Sequence, residues 1–291
     1  MNTAFLDAFW IILTGSLVAV TGGLLGCYLL LRRLSLIGDA ISHAVLPGIA
    51  VAFLITGSLS SVPALLGAAV VGLLCTWAIE TVQHRAGLQG DAAMGIVFTF
   101  LFAVGVILVS SLAGNADLDQ ECVLYGELAF VIFDQTVLGM PVSTAILLAN
   151  LLLVAAVLTV GYRGFFLTTF DPAFARAMGF STVAWHYVLM SLVSLTTVVS
   201  FESVGAILVV AFLVGPAAIA HLLTDRLKIM LLLSALIGVS ASVGGYFLAA
   251  ALNANIAGAM TVVLGAEFVG VMVVQSWRKR WRAIPPVASP T

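Results

Sequence analysis

Six long stretches of the chain carry no Asp, Glu, Lys or Arg: residues 8–31, 44–79, 92–116, 135–162, 203–224 and 229–266. A hydrocarbon core of ~30 Å is crossed by about 20 apolar residues in α-helix, and within it only helices and closed barrels satisfy their own backbone. Runs this long and this apolar specify membrane-spanning helices. Two of them exceed a single crossing. The 44–79 run contains Gly57-Ser-Leu-Ser-Ser-Val-Pro63 and the 229–266 run contains Asn253-Ala-Asn255, both turn-forming sequences. With a further apolar segment between Arg176 and Glu202, the cuts define nine spans: 8–31, 36–56, 62–84, 92–113, 141–162, 184–201, 204–224, 229–251 and 256–277. Eight is the fallback count. Only 8% of the 291 residues are charged, against about 25% in soluble domains, too few to clothe a water-soluble surface. The expected fold is all-α, a polytopic transmembrane helical bundle forming one domain over 1–282, with a disordered cytoplasmic tail over 283–291.

Basic residues give the orientation, because short cytoplasmic loops are enriched in Lys and Arg. Arg32 and Arg33 follow span one, Arg85 span three, Arg163 and Arg176 span five, and Arg226 and Lys228 span seven. Arg278, Lys279, Arg280 and Arg282 follow span nine, which completes the eleven basic residues, all on one face. That face should be cytoplasmic, with the N-terminus outside and the C-terminus inside. The loop 114–140 on the other face carries Asp117, Asp119, Glu121, Glu127 and Asp134. Within it, residues 122–133 are too short to cross and suit a re-entrant or interfacial helix. The first run lacks a basic residue before it and a small-x-small cleavage site after it, so it reads as a retained span. Cys27, Cys75 and Cys122 form no C-x-x-C pair, which argues against a disulfide framework or zinc ribbon.

An ionisable side chain inside a span is costly and marks function by default. Asp39 and His43 lie four apart on the second span and share a helical face. Pro47, four further on, has no N–H, so the His43 carbonyl loses its helical donor. Mixed nitrogen and oxygen donors suit divalent ions such as zinc, manganese or iron. A packing hydrogen bond and a proton relay use the same two residues equally well. Glu202, in the turn Phe201-Glu-Ser-Val-Gly205, is a candidate at an outer gate, and His221 a candidate on the inner side of a path. Asp117, Asp119 and Glu121 form an acidic cluster suited to cation attraction or to contact with a binding protein. Glu80, His84, Asp91, His186 and Asp225 lie near span ends, where solvation and packing account for them. Residues 171–179 punctuate a short helix on the basic face: Asp171 suits the N-cap, Pro172 the first position and Gly179 the stop.

The stretch Leu31-Arg-Arg-Leu-Ser-Leu-Ile-Gly-Asp-Ala-Ile-Ser-His-Ala-Val-Leu-Pro-Gly-Ile-Ala50 closely resembles the signature of the ABC-3 family, the permease subunits of bacterial ATP-binding cassette importers for zinc, manganese and iron. Gly90 to Thr99 resembles the start of its fourth span. Asp117 to Gly126 resembles its outer loop, with Cys122 and Tyr125 where relatives often carry His and Phe. Asp171 to Gly179 resembles its ATPase-docking segment, and Val204 to Ala218 its late core span. The resemblance covers nearly the whole chain. It implies a type II importer-like permease in the bacterial plasma membrane. Asp39 and His43 would lie on the translocation path, and a second permease copy, a homodimer or a close paralogue, would complete an N2O2 donor set. It also implies cytoplasmic ATPase subunits that bind ATP and dock at Asp171, Phe174, Met178 and Gly179. An extracytoplasmic metal-binding protein would deliver the ion. The divalent manganese, zinc or iron ion would be cargo, with no permanently bound cofactor and no nucleic acid partner.

The chain carries no energy source of its own. Its two lysines, Lys228 and Lys279, are in no P-loop context, so ATP hydrolysis would belong to a separate chain. The rival is a proton-coupled secondary metal transporter using Asp39 and His43 without an ATPase. An intramembrane enzyme is disfavoured by the lack of H-E-x-x-H or a Gly-x-Ser-x-Gly elbow.

Overall fold

The computed structural model describes residues 2–56, 61–112, 128–133, 136–137 and 139–282. Its helices are α1 (Asn2–Leu31), α2 (Ile37–Ala44), α3 (Leu46–Thr56), α4 (Ser61–Ala86), α5 (Gly90–Leu112), α6 (Val142–Val160), α7 (Tyr162–Phe170), α8 (Pro172–Ala177), α9 (Thr182–Leu223), α10 (Leu227–Leu252) and α11 (Ile256–Arg282). A 3-10 helix, Leu128–Phe133, precedes a two-stranded antiparallel hairpin of β1 (Thr136–Val137) and β2 (Met140–Pro141), which turns at Gly139. Among the described residues, nine helical segments are long and apolar enough to cross a membrane. They run Phe5–Leu31, Ile37–Thr56, Leu66–Ala86, Gly90–Ser110, Val142–Val160, Thr182–Phe201, Ser203–Leu223, Leu227–Leu252 and Ile256–Trp277. The nine-span reading holds, and the chain is a multi-pass membrane protein.

Helix α1 runs through the middle of the bundle against α9 and α10. Glycine makes that approach possible. A Cβ on Gly26 would fall inside the Leu213 carbonyl oxygen, and one on Gly22 would meet the Phe212 carbonyl at 3.1 Å. The core around α1 joins Leu25, Tyr28 and Leu29 to Ile37 and Ile41 of α2 and to Leu189, Met190 and Val193 of α9. On the other side Leu17 and Val18 meet Leu208, Val209 and Phe212.

Two local features depart from the sequence reading. The turn expected at 201–205 is present but reduced to its last residue. Helix α9 continues through Glu202 and is interrupted only at Gly205, with φ 76° and ψ 165°. A straight helix of 42 residues would reach about 63 Å, twice the membrane, and the contacts show instead that it folds back. His186 meets Glu80 and Ser194 meets Ala69, an antiparallel alignment with α4. In the second half Phe212 lies at Gly22 and Ala217 at Gly26, a parallel alignment with α1. The C-terminal ends of α1 and α4 share one cavity, so α1 and α4 are parallel and the halves of α9 are antiparallel. Positive φ at a single glycine, which lacks the Cβ that penalises this region, is enough to reverse the chain.

The second span is likewise two helices, α2 and α3, separated at Val45. Pro47 supplies no donor, and the Val45 carbonyl accepts from both Gly48 (2.9 Å) and Ile49 (3.2 Å). The interfacial helix expected over 122–133 is described only for Leu128–Phe133, where Leu128 and Val131 are buried in the cluster containing Ile11 and Leu17. The tail 283–291 lies outside the described residues.

Candidate functional site

Helix α2 is amphipathic in an unusual sense. Ile37, Ala40, Ile41 and Ala44 are buried against α4, α5 and α9, and that packing leaves Asp39 and His43 on the open side. Their side chains are 43% and 35% exposed. The His43 Nε2 and Asp39 Oδ1 atoms stand 3.5 Å apart, beyond the 2.7–3.2 Å of an ordinary N–H···O hydrogen bond. The two groups are adjacent without being consumed by one another. At that separation an ion held at about 2.1 Å from both atoms would see them at roughly 110°, close to a tetrahedral angle. Ser42 donates its hydroxyl to the Asp39 carbonyl at 2.8 Å, steadying the turn between them.

By itself the pair offers two donor side chains, fewer than a closed metal site uses. No group of three His, Cys, Asp or Glu residues able to hold a metal occurs among the described residues. A structural zinc site closes four ligands around its ion, whereas two ligands on an open face suit a cargo that must leave again.

Two residues that sequence reasoning did not single out lie against His43. Phe98 of α5 stands 5.9 Å from the imidazole centroid at an interplanar angle of 33°, and Phe102 stands 6.1 Å away, edge-on at 83°. His221 is exposed near the end of α9, and the Glu202 side chain lies outside what the structure describes. Asp117, Asp119 and Glu121 also lie outside the described residues.

Below α2, at the ends of the spans, a cavity of about 570 Å³ is lined by Arg32, Glu80, His84, Thr168, His186 and Tyr187, among others. His186 pairs with Glu80, and Tyr187 donates its hydroxyl to the same carboxylate at 2.6 Å. These contacts tie α4 to α9, in keeping with the packing role expected of span-end residues. Arg32 donates from Nη2 to Thr168 Oγ1 at 2.9 Å and from Nε to Thr169 Oγ1 at 3.0 Å, pinning the α1–α2 link to α7. Burial lowers the Arg32 pKa from its usual value, an effect that Tyr28 partly opposes.

Helix α8 follows α7 directly and is built as its sequence punctuation requires. Asp171 Oδ1 accepts from the Phe174 N–H at 2.9 Å, and Pro172 takes the first turn. At the other end Phe180 N–H bonds the Ala175 carbonyl and Gly179 N–H bonds the Arg176 carbonyl, with Gly179 at φ 83°. That pattern is a Schellman stop. Ala175 is fully buried, while Phe174 and Met178 are 50% and 59% exposed, an apolar face pointing away from the bundle.

Residues 5–275 match the model of the ABC 3 transport family. The chain belongs to that family. It is 50% identical over 268 residues to the manganese transport system membrane protein MntD of Bacillus subtilis, covering 91% of this chain and 90% of that one. It is 40% identical to the zinc transport system membrane protein TroD of Treponema pallidum, covering 89% of this chain and 71% of the relative. Among solved structures it resembles PsaBC from Streptococcus pneumoniae, determined in complex with Fab. The TM-score is 0.77 at 30% identity, over 93% of this chain and 95% of that one.

Proposed function

We propose that the chain is the membrane permease of an ATP-binding cassette importer for a divalent transition-metal ion, which passes the Asp39–His43 pair on a path completed by a second permease copy. The observation that carries this reading is the open pair itself. A carboxylate and an imidazole, each more than a third exposed within a spanning segment, are too costly to face hydrocarbon. A second chain set against that face encloses them and doubles the donors. The cargo is manganese or zinc, the metals in the relatives' names, with manganese the first to test because the 50% identical relative carries it. Iron rests on donor chemistry alone.

The face bearing the basic residues is cytoplasmic, and α8 presents Phe174 and Met178 there to an ATPase subunit. The acidic 117–121 segment receives a metal-binding protein outside. Asp39→Asn and His43→Ala should each lower manganese uptake at least 10-fold in proteoliposomes holding the complete complex, with ATPase association unchanged. Wild-type uptake in both variants would refute the assignment of the path.

A further inference from the structure

We infer that Phe98 is a positioning residue for metal capture, acting with Phe102 as an aromatic clamp that holds the His43 imidazole toward Asp39. The inference rests on the Asp39–His43 path proposed above and adds a second element to it, helix α5. Two helical stripes face one another. Asp39, His43 and Pro47 recur every four residues across α2 and α3, and Phe98, Phe102 and Gly105 recur at intervals of four and three on α5, the spacing of one helical face. The matching is in register. Both rings lie on His43, and a Cβ on Gly105 would stand 2.8 Å from Pro47 N and Cδ. Gly105 therefore lets α5 close on the proline while the turns before it bring the rings onto the imidazole.

The chemistry needs such a clamp. A ligand set reduced to one carboxylate and one imidazole per chain has no third protein group to hold the ring in place. Functional constellations must be kept within about 0.5 Å of their working geometry by packed neighbours. His43 is 35% exposed and makes no hydrogen bond in the described structure beyond its approach to Asp39, so hydrogen bonding does not fix its rotamer. The Phe98 ring, tilted at 33°, and the edge-on Phe102 ring are what restrict it. Neither ring donates a lone pair, so the pair orients the ligand without adding to the shell and without tightening the grip on the departing ion.

The test is manganese uptake by proteoliposomes holding the permease with its ATPase and binding protein. Removing partners that orient a metal ligand typically costs 10–100-fold in affinity. Phe98→Ala should therefore raise the apparent KM for metal by about 10-fold or more, with maximal rate within about twofold, and Phe98→Tyr should restore it. The nitrogen modulation of His43 in the electron spin-echo of bound manganese should weaken in Phe98→Ala, which a purely structural role would not produce. If Phe98→Ala does not assemble, Phe98→Leu keeps the bulk and removes the flat ring: a raised KM supports the clamp, and a wild-type KM overturns it. Wild-type KM in Phe98→Ala alongside lost uptake in Asp39→Asn removes the clamp and leaves the path. Wild-type uptake in Asp39→Asn and His43→Ala removes the path as well.

Discussion

Gly179 offers a perturbation whose cost is almost purely conformational. Its φ is +83° and a Cβ added there would find no atom within 4 Å, so a substitution introduces strain without a clash. Placing an L-residue in the left-handed region costs roughly 1–2 kcal/mol, a factor of about 5–30 in the population of the Schellman stop. Helix α8 has six residues, well below the ~12–15 an isolated helix needs in water, so it has little intrinsic stability to absorb that loss. Gly179→Ala should weaken ATPase association about 5–30-fold, and the β-branched Gly179→Val should weaken it further. Membrane insertion and metal binding should be unaffected. Phe174→Asp, which places a charge on the exposed apolar face, should give the same phenotype by a different route. The assay is co-purification of the ATPase together with metal-stimulated hydrolysis in liposomes. Gly139→Ala is the matched control, because Gly139 has φ +80° and open space around it but sits in the hairpin at the opposite face. Normal coupling in Gly179→Val, or an equal loss in Gly139→Ala, would refute the reasoning.

Two further outcomes follow from the packing and the charge map. Gly26→Ala forces a methyl group onto the Leu213 carbonyl and should destabilise the purified complex by about 1–3 kcal/mol, read as a lower Tm; Gly265→Ala, where nothing lies within 4 Å, should be neutral or slightly stabilising. In a background without native cysteines, an impermeant thiol reagent added outside should label Ala254→Cys but not Ala86→Cys or Ser181→Cys, and the reverse pattern would invert the orientation.

The spans were legible because each is a local property of composition. Charge-free runs set their number, Asn253 in the left-handed conformation with Asn255 capping Gly258 ends one and starts the next, and four-residue spacing put Asp39 and His43 on one face. Helix α8 was legible for the same reason, since its cap, its proline and its terminal glycine lie within nine residues of one another. The reversal in α9 was harder to read. The turn read at 201–205 is confined to its last residue, where the positive φ of Gly205 accomplishes it while helix persists through Glu202. Hydrophobic pattern cannot separate a glycine that bends a helix from one, such as Gly26, that admits a neighbour.

What remained hidden is what depends on two distant segments meeting. Arg32 and Thr168 are 136 residues apart, Glu80 and Tyr187 are 107 apart, and nothing local to any of them announces a partner. Phe98 and Phe102 are the sharper case. On their own helix they are two of many aromatic residues in an apolar run, indistinguishable from those that face lipid. They acquire meaning only because Gly105 lets α5 reach Pro47, and because α2 buries its aliphatic side and leaves its imidazole open at that same height. A transport site is thus less legible than a structural metal site for a physical reason. A closed site concentrates four ligands, often at recognisable spacing. A site that must release its ion spreads fewer ligands over surfaces that move, and leaves the task of holding them to neighbours with no ligand chemistry of their own.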